Sequence, residues 1–460
     1  MMKDREQKAR ALSYAVSKRW FPQLELDVST HITIQPKPIS ITDIDVFASI
    51  PGDLGSYQHI LIDCKTGKNE SPIGRALWLR GLMERMHADR GMCILRTKNI
   101  ATDHRYSAAQ LGVTLIAEDE FSTFGRATSF AFEKPVGAIG DISIWDRFFS
   151  IGDRYKAIAP AVSFSRSIFW MSESDVEACT RTLYLTRRLS AELDPAKDEH
   201  MAVVGDLAAL FLHALARIVN TIFAGYLQPE NRGQLSSALL LLLYGGRSSY
   251  MVRNRLKKMV RVTSDEPSDL SLPEWNRFVQ LVRQALDAPY ELLRSPLIVR
   301  EAAWSILDHN DSPKFLRTLA AESPQGVRLA VLGIDYLCRA SKLPPEFMSR
   351  LANLLMEAQT PAENNGSGSS LGIDQSADAS LEDTEVDRSD ASHPQKSRGS
   401  NTLEHQRRTI EAKASVEQIH AASINSTAST PEVGPNDAPS ERVIDEIPEW
   451  ALGNPSALED

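Results

Sequence analysis

The sequence predicts three regions: an α/β domain over 1–125, an all-α domain over 146–358 reached through a connector at 126–145, and an acidic tail over 359–460 that stays disordered. Three observations carry this. Two apolar, β-branched runs, Ile41–Ala48 (ITDIDVFA) and His59–Lys65 (HILIDCK), stand among helical stretches near the N-terminus. Between 174 and 307, six segments repeat apolar residues about every 3.6 positions. After Pro361 the chain turns to Ser, Asn, Gly, Ala and Asp with few large apolar residues, too few to offset the entropy of ordering.

Taken in order, Arg5–Trp20 has a helical pattern, and the two strand runs follow. After Lys65, Ser71 and Pro72 suit the N-cap and first turn of a helix that ends at Gly91. A strand at Met92–Leu95, a short helix near Ala108–Leu111 and a strand at Val113–Ile116 complete the first domain. The helical segments are Ser174–Leu193, Met201–Leu227, Gln234–Tyr244, Tyr250–Val262, Pro273–Leu286 and Pro296–Leu307. An echo between Val299–Ala303 and Val327–Val331 would suit stacked helical hairpins of the HEAT sort. Ala202–Leu227 is interrupted by Asp206, His213 and Arg217, and Leu235–Leu243 is too short to span a bilayer, so both read as core helices. The four cysteines have no paired spacing, which predicts reduced thiols, no zinc site and a cytoplasmic setting; the charged N-terminus lacks a secretory h-region.

The chemistry is concentrated in the strand runs. A period of two puts Asp63 and Lys65 on one face of their strand and Cys64 on the other, facing the core. Asp43 and Asp45 share a face for the same reason, with Ile44 and Val46 turned inward. Adjacent antiparallel strands would bring Asp45, Asp63 and Lys65 to one edge. Two carboxylates there suit Mg²⁺, a hard cation that prefers oxygen ligands. A lysine beside it can orient or deprotonate a water for attack on phosphorus.

Asp45 followed by Asp63-Cys64-Lys65 resembles the PD-(D/E)XK nuclease superfamily, whose members include Holliday-junction resolvases and repair and defence nucleases. The resemblance covers roughly residues 3–121 and includes the α-β-β-β-α-β order of elements. It implies a restriction-endonuclease-like fold with a central mixed sheet flanked by helices. It implies metal ligation by Asp45, Asp63 and the backbone carbonyl of Cys64, with Lys65 acting on the attacking water and Mg²⁺, or Mn²⁺ in its place, as cofactor. At the first acid, Thr42 and two aspartates replace the family's Pro-Asp; Asp45 is preferred to Asp43 because an acid-apolar-Asp-apolar run generally uses the later aspartate. The family often adds a glutamate from the first helix, which points to Glu6, with Glu25 as its competitor.

Charge is unevenly spread. Residues 361–460 hold 19 acids against 7 Lys and Arg, which leaves 41 acids and 44 bases in residues 1–360. The overall net charge of −9 therefore belongs to the tail, whose last stretch, Val443–Leu452, resembles a short docking motif. The run Arg247–Arg261 holds six bases and no acid, and on a helix Arg253, Lys257 and Arg261 stack at i, i+4, i+8. With Lys258, and with Lys68 in a loop near the phosphates, these are the residues expected to meet phosphates and give salt-dependent affinity for DNA. Arg75, Arg80 and Arg85 make a second, weaker patch. Two functions compete: a metal-dependent nuclease in defence or DNA processing, or a nuclease-fold scaffold that binds nucleic acid or protein without cutting.

Overall fold

The computed structural model describes residues 4–30, 39–52, 55–67, 71–96, 99–260, 271–308 and 313–360. All of them fall in one compact unit, Met1–Gly366. Lys68, Arg261, Val443–Leu452 and the rest of the tail lie outside the described residues, and the side chains of Lys257 and Lys258 are likewise undescribed.

Helix α1 (Arg5–Ser17) leads into a five-stranded mixed sheet of β1 (Phe21–Ser29), β2 (Ser40–Pro51), β3 (Tyr57–Lys65), β4 (Arg90–Leu95) and β5 (Val113–Ala117), lying side by side in chain order. The first three strands are antiparallel and β3, β4 and β5 run parallel. The parallel crossovers are made by α2 (Pro72–Met86) and α3 (Thr102–Gln110), as helical connections must be between parallel neighbours. Ser71 caps α2 by accepting the Gly74 N–H at 3.3 Å, with Pro72 at the first helical position. The helix stops earlier than expected: His87 takes the left-handed cap conformation (φ 50°), and Gly91 lies inside β4. A Cβ on Gly91 would meet the Met83 sulfur at 2.8 Å, so its glycine serves close helix–sheet packing rather than helix termination.

Strand alternation breaks at one point. Leu24 pairs with Val46 and Leu26 with Ile44, and between them Glu25 has φ 52°. The kink sends Ile44 and Val46 into different layers, where strict alternation would have turned both to one side. Ile44 joins Phe47, Leu61, Cys93 and Leu95 under Leu79 and Met83 of α2. Val46 joins Ile62, Cys64, Met92 and Ile94, and this layer is continuous with the helical region through Leu12, Phe21, Trp145 and Trp304.

The helical region comprises α4 (Phe121–Thr128), α5 (Ile142–Arg154), α6 (Ala159–Ser163) with a π-helical turn at Phe164–Ile168, α7 (Asp175–Arg188), α8 (Asp198–Tyr226), α9 (Arg232–Leu243), α10 (Arg247–Val260), α11 (Trp275–Leu286), α12 (Pro289–Trp304), α13 (Lys314–Glu322), α14 (Pro324–Ala340) and α15 (Pro345–Gln359). All six segments expected between 174 and 307 are helices, although α12 begins at Pro289 and runs through Pro296. Helix α8 is long and apolar enough to cross a membrane, yet 94% of its most apolar window is buried inside the protein. Its Gly205 lets α12 approach closely, since a Cβ there would overlap that of Ala303. Beside this contact, Arg300 Nε lies 2.7 Å from Asp206 Oδ1, both residues being almost wholly buried. Arg300 also donates to the Pro22 carbonyl at 2.6 Å and lies over the Phe21 ring. Its neighbour Glu301 accepts the N–H groups of Ala138 and Ile139 at 3.0 and 2.9 Å. Two consecutive charges on α12 thus fasten the helices to β1 and to the connector.

Candidate metal centre

The ladder between β2 and β3 ends at Val46 opposite Ile62, so Asp45 and Asp63 stand just past the last pair. Asp45 takes over where the ladder stops: its Oδ2 accepts the Cys64 N–H at 2.6 Å. Cys64 thus turns its N–H toward Asp45, on the β2 side of its strand. Its thiol faces the core on the opposite side, fully buried, and burial holds its pKa well above the ordinary range.

Lys65 Nζ lies 3.8 Å from Asp45 Oδ2 and 3.5 Å from Asp63 Oδ1. The three residues expected to converge do converge. Asp45 is 2% exposed and Asp63 3%, while the Lys65 side chain keeps 23%. Burial pulls the Lys65 pKa down, but Asp45 and Asp63 outweigh it and leave the pKa above its usual value, so the ammonium is charged at neutral pH. Asp45 moves up: burial is the largest influence, and Lys8 and Lys65 only partly offset it.

Helix α1 contributes differently from expectation. Its buried stripe runs through Lys8, Leu12 and Ala15, and Glu6, two residues from Lys8 and so about 200° around the axis, is exposed. Lys8 Nζ is 2.8 Å from Asp45 Oδ1 and in contact with Glu25 Oε1. Gln7, 1% exposed, donates from Nε2 to the Lys65 carbonyl at 3.5 Å, and its Oε1 has no hydrogen-bond partner among the described residues. The left-handed turn at Glu25 brings its carboxylate to Asp43 and Asp45, and one oxygen from each lies within 4.8 Å of the others. Such a spread fits the shell of one ion with bonds of about 2.1–2.4 Å. Asp45 is buried, Glu25 half-buried and Asp43 exposed, and this acidic group could hold a metal ion.

Asp63 lies outside that triad. Arg75, in the first turn of α2, grips it from Nε at 3.0 Å and from a terminal nitrogen, with its guanidinium over the Trp78 ring at 3.8 Å. The arginines expected to form a phosphate patch on α2 are all engaged: Arg75 here, Arg80 with Glu84 and Arg85 with the Ser29 carbonyl. Sequence reasoning missed Lys8 and Arg75 as site residues. For Lys8 the signal was its place four residues before Leu12 on an amphipathic helix.

Farther along the same strands, Ser49 Oγ lies 3.2 Å from His59 Nδ1 and 2.9 Å from His213 Nε2 of α8. A cavity of about 270 Å³ adjoins them, lined by His59, Trp170, Asp175, His213 and Arg217. Burial lowers the pKa of His59 to about 4 and that of His213 well below its ordinary 6.5, with Arg217 adding to both shifts.

On α10, Arg253 is exposed and lies over the Tyr244 ring at 5.3 Å. Met251, Val252, Leu256 and Met259 are also exposed by about half or more. No protein-family model, curated protein or solved structure matches this sequence.

Proposed function

We propose that the chain is a divalent-metal-dependent phosphodiesterase acting on DNA, built on the PD-(D/E)XK, restriction-endonuclease-like plan. The convergence of Asp45 and Asp63 on Lys65, where the ladder between β2 and β3 stops, carries this reading. The order of helix, three antiparallel strands and parallel crossover around it supports the same plan. Asp45 is the central ligand, with Glu25 and Asp63 on either side, and hard oxygen donors of this kind suit Mg²⁺ or Mn²⁺. When bound, the ion supplies Lewis-acid stabilisation of phosphoryl charge and a more acidic water. Lys65, charged and only loosely paired, orients the attacking water and offsets charge on the phosphate. Arg75 fixes the Asp63 carboxylate. The phosphodiester is hydrolysed directly, with no covalent intermediate.

The test is digestion of plasmid and single-stranded DNA with Mg²⁺, Mn²⁺ or EDTA. Asp63→Asn should abolish cutting while circular dichroism stays unchanged, and Lys65→Ala should lower the rate by ~10²–10⁴ while sparing metal binding. Full activity in Asp63→Asn would overturn the assignment. The second reading, a silent nuclease-fold scaffold, is favoured by one observation: Lys8 and Arg75 already neutralise Asp45 and Asp63. DNA binding without cutting under every metal would select it.

A further inference from the structure

The acidic triad already holds a cation. The Lys8 ammonium sits 2.8 Å from Asp45 and against Glu25, with its side chain 3% exposed. Those two carboxylates, together with Asp43, are the ones whose oxygens share a 4.8 Å space. One position between Asp45 and Glu25 is therefore open either to the ammonium or to a divalent ion. We propose that Lys8 is a resident cation of this centre, which a metal must displace from Asp45 and Glu25 in order to bind. The inference rests on the phosphodiesterase reading of the same residues.

The packing gives a reason for such a residue. Three carboxylates held this close, one of them almost wholly buried, repel one another and lose hydration, so the free protein needs a compensating charge. Lys65 is poorly placed to supply it, since at 3.5–3.8 Å it makes no close bond to either aspartate. Asp63 has its own partner in Arg75. Lys8 is delivered by the buried stripe of α1 to Asp45 Oδ1, whereas Lys65 lies by Oδ2, and so it neutralises the ligands without tying up the more exposed lysine. Metal binding then becomes an exchange of cations. The ammonium gives up two carboxylates as the ion takes them, and breaking those two ion pairs weakens the apparent affinity of the metal.

The test uses the full chain stripped with EDTA and titrated with Mn²⁺, followed by calorimetry or electron paramagnetic resonance. Lys8→Met, similar in length but uncharged, should bind Mn²⁺ at least ~10-fold more tightly than the parent, since a unit charge a few ångströms away opposes the ion. Equal or weaker affinity in the folded variant overturns the proposal. A measurement on the parent chain covers the case in which Lys8→Met fails to fold. Lys8 should resist acetylation in EDTA and be labelled several-fold faster in saturating Mn²⁺, as read by mass spectrometry; unchanged protection overturns the displacement. If parent and variant bind Mn²⁺ equally well, the phosphodiesterase reading stands and only the role of Lys8 falls. If neither binds, both fall together.

Discussion

Among the described residues, carboxylate–cation contacts are buried in two places, and they are built in opposite ways. In the helical region Asp206 and Arg300 form a one-to-one pair, both almost wholly buried. The guanidinium is also bonded to Pro22 and lies over Phe21, so nothing can approach it without unpacking α8 from α12. In the sheet, Glu25, Asp43, Asp45 and Asp63 come from three strands, and Lys8, Lys65 and Arg75 come from α1, β3 and α2. There the acids outnumber the cations, and Lys65 stays partly exposed and loosely held. A closed pair fixes structure, because removing either partner strands a buried charge. An open, over-acidic cluster is poised to exchange partners, which is what a metal and an anionic substrate require.

The largest effect should separate the two centres by stability. Asp206→Ala leaves Arg300 buried and unpaired and should cost ~3–5 kcal/mol in urea unfolding, whereas Asp206→Leu with Arg300→Met should recover most of that loss. Asp45→Asn keeps the shape and one acceptor while removing a charge that burial already disfavours; it should cost no more than ~1 kcal/mol while eliminating metal binding and activity. A large stability loss at Asp45 and a small one at Asp206 would invert the comparison.

A smaller effect probes the histidines between the two centres. His213 has a depressed pKa in the folded chain, so the unfolded state takes up a proton below pH ~6.5 that the native state refuses. The stability tied to this group is whole above that pH and is lost as pH falls. His213→Phe should therefore flatten the unfolding free energy between pH 6.5 and 5 by up to ~1.4 kcal/mol per pH unit. An unaltered slope would show that the imidazole titrates normally.

The smallest effect is expected at α10. If the exposed Arg253 meets a DNA phosphate, Arg253→Ala should reduce the slope of log K against log salt by ~0.9 or less, at every sequence alike. An unchanged slope would assign its guanidinium to Tyr244 alone.

Much of this was legible in the sequence, and what was not has a common cause. The runs ITDIDVFA and HILIDCK lie in β2 and β3, Ser71-Pro72 opens α2, and the 3.6-residue spacing marks six helices, with α12 starting seven residues before its expected beginning. Within β3, a period of two was enough to put Asp63 and Lys65 on one face and Cys64 in the core. These features depend on each element's own residues. Glu25 reached Asp45 only through a left-handed residue in β1, and Lys8 only through the way α1 docks on the sheet. Arg75 reached Asp63 from a helix twelve residues on, and Asp206 met Arg300 across 94 positions of chain. The sequence by itself determined which residues share a face of a strand or helix, because side-chain direction follows the local backbone period. Only the tertiary structure decided which faces meet and which charges are buried together, because that depends on long-range packing and on the cost of leaving a buried charge without a partner.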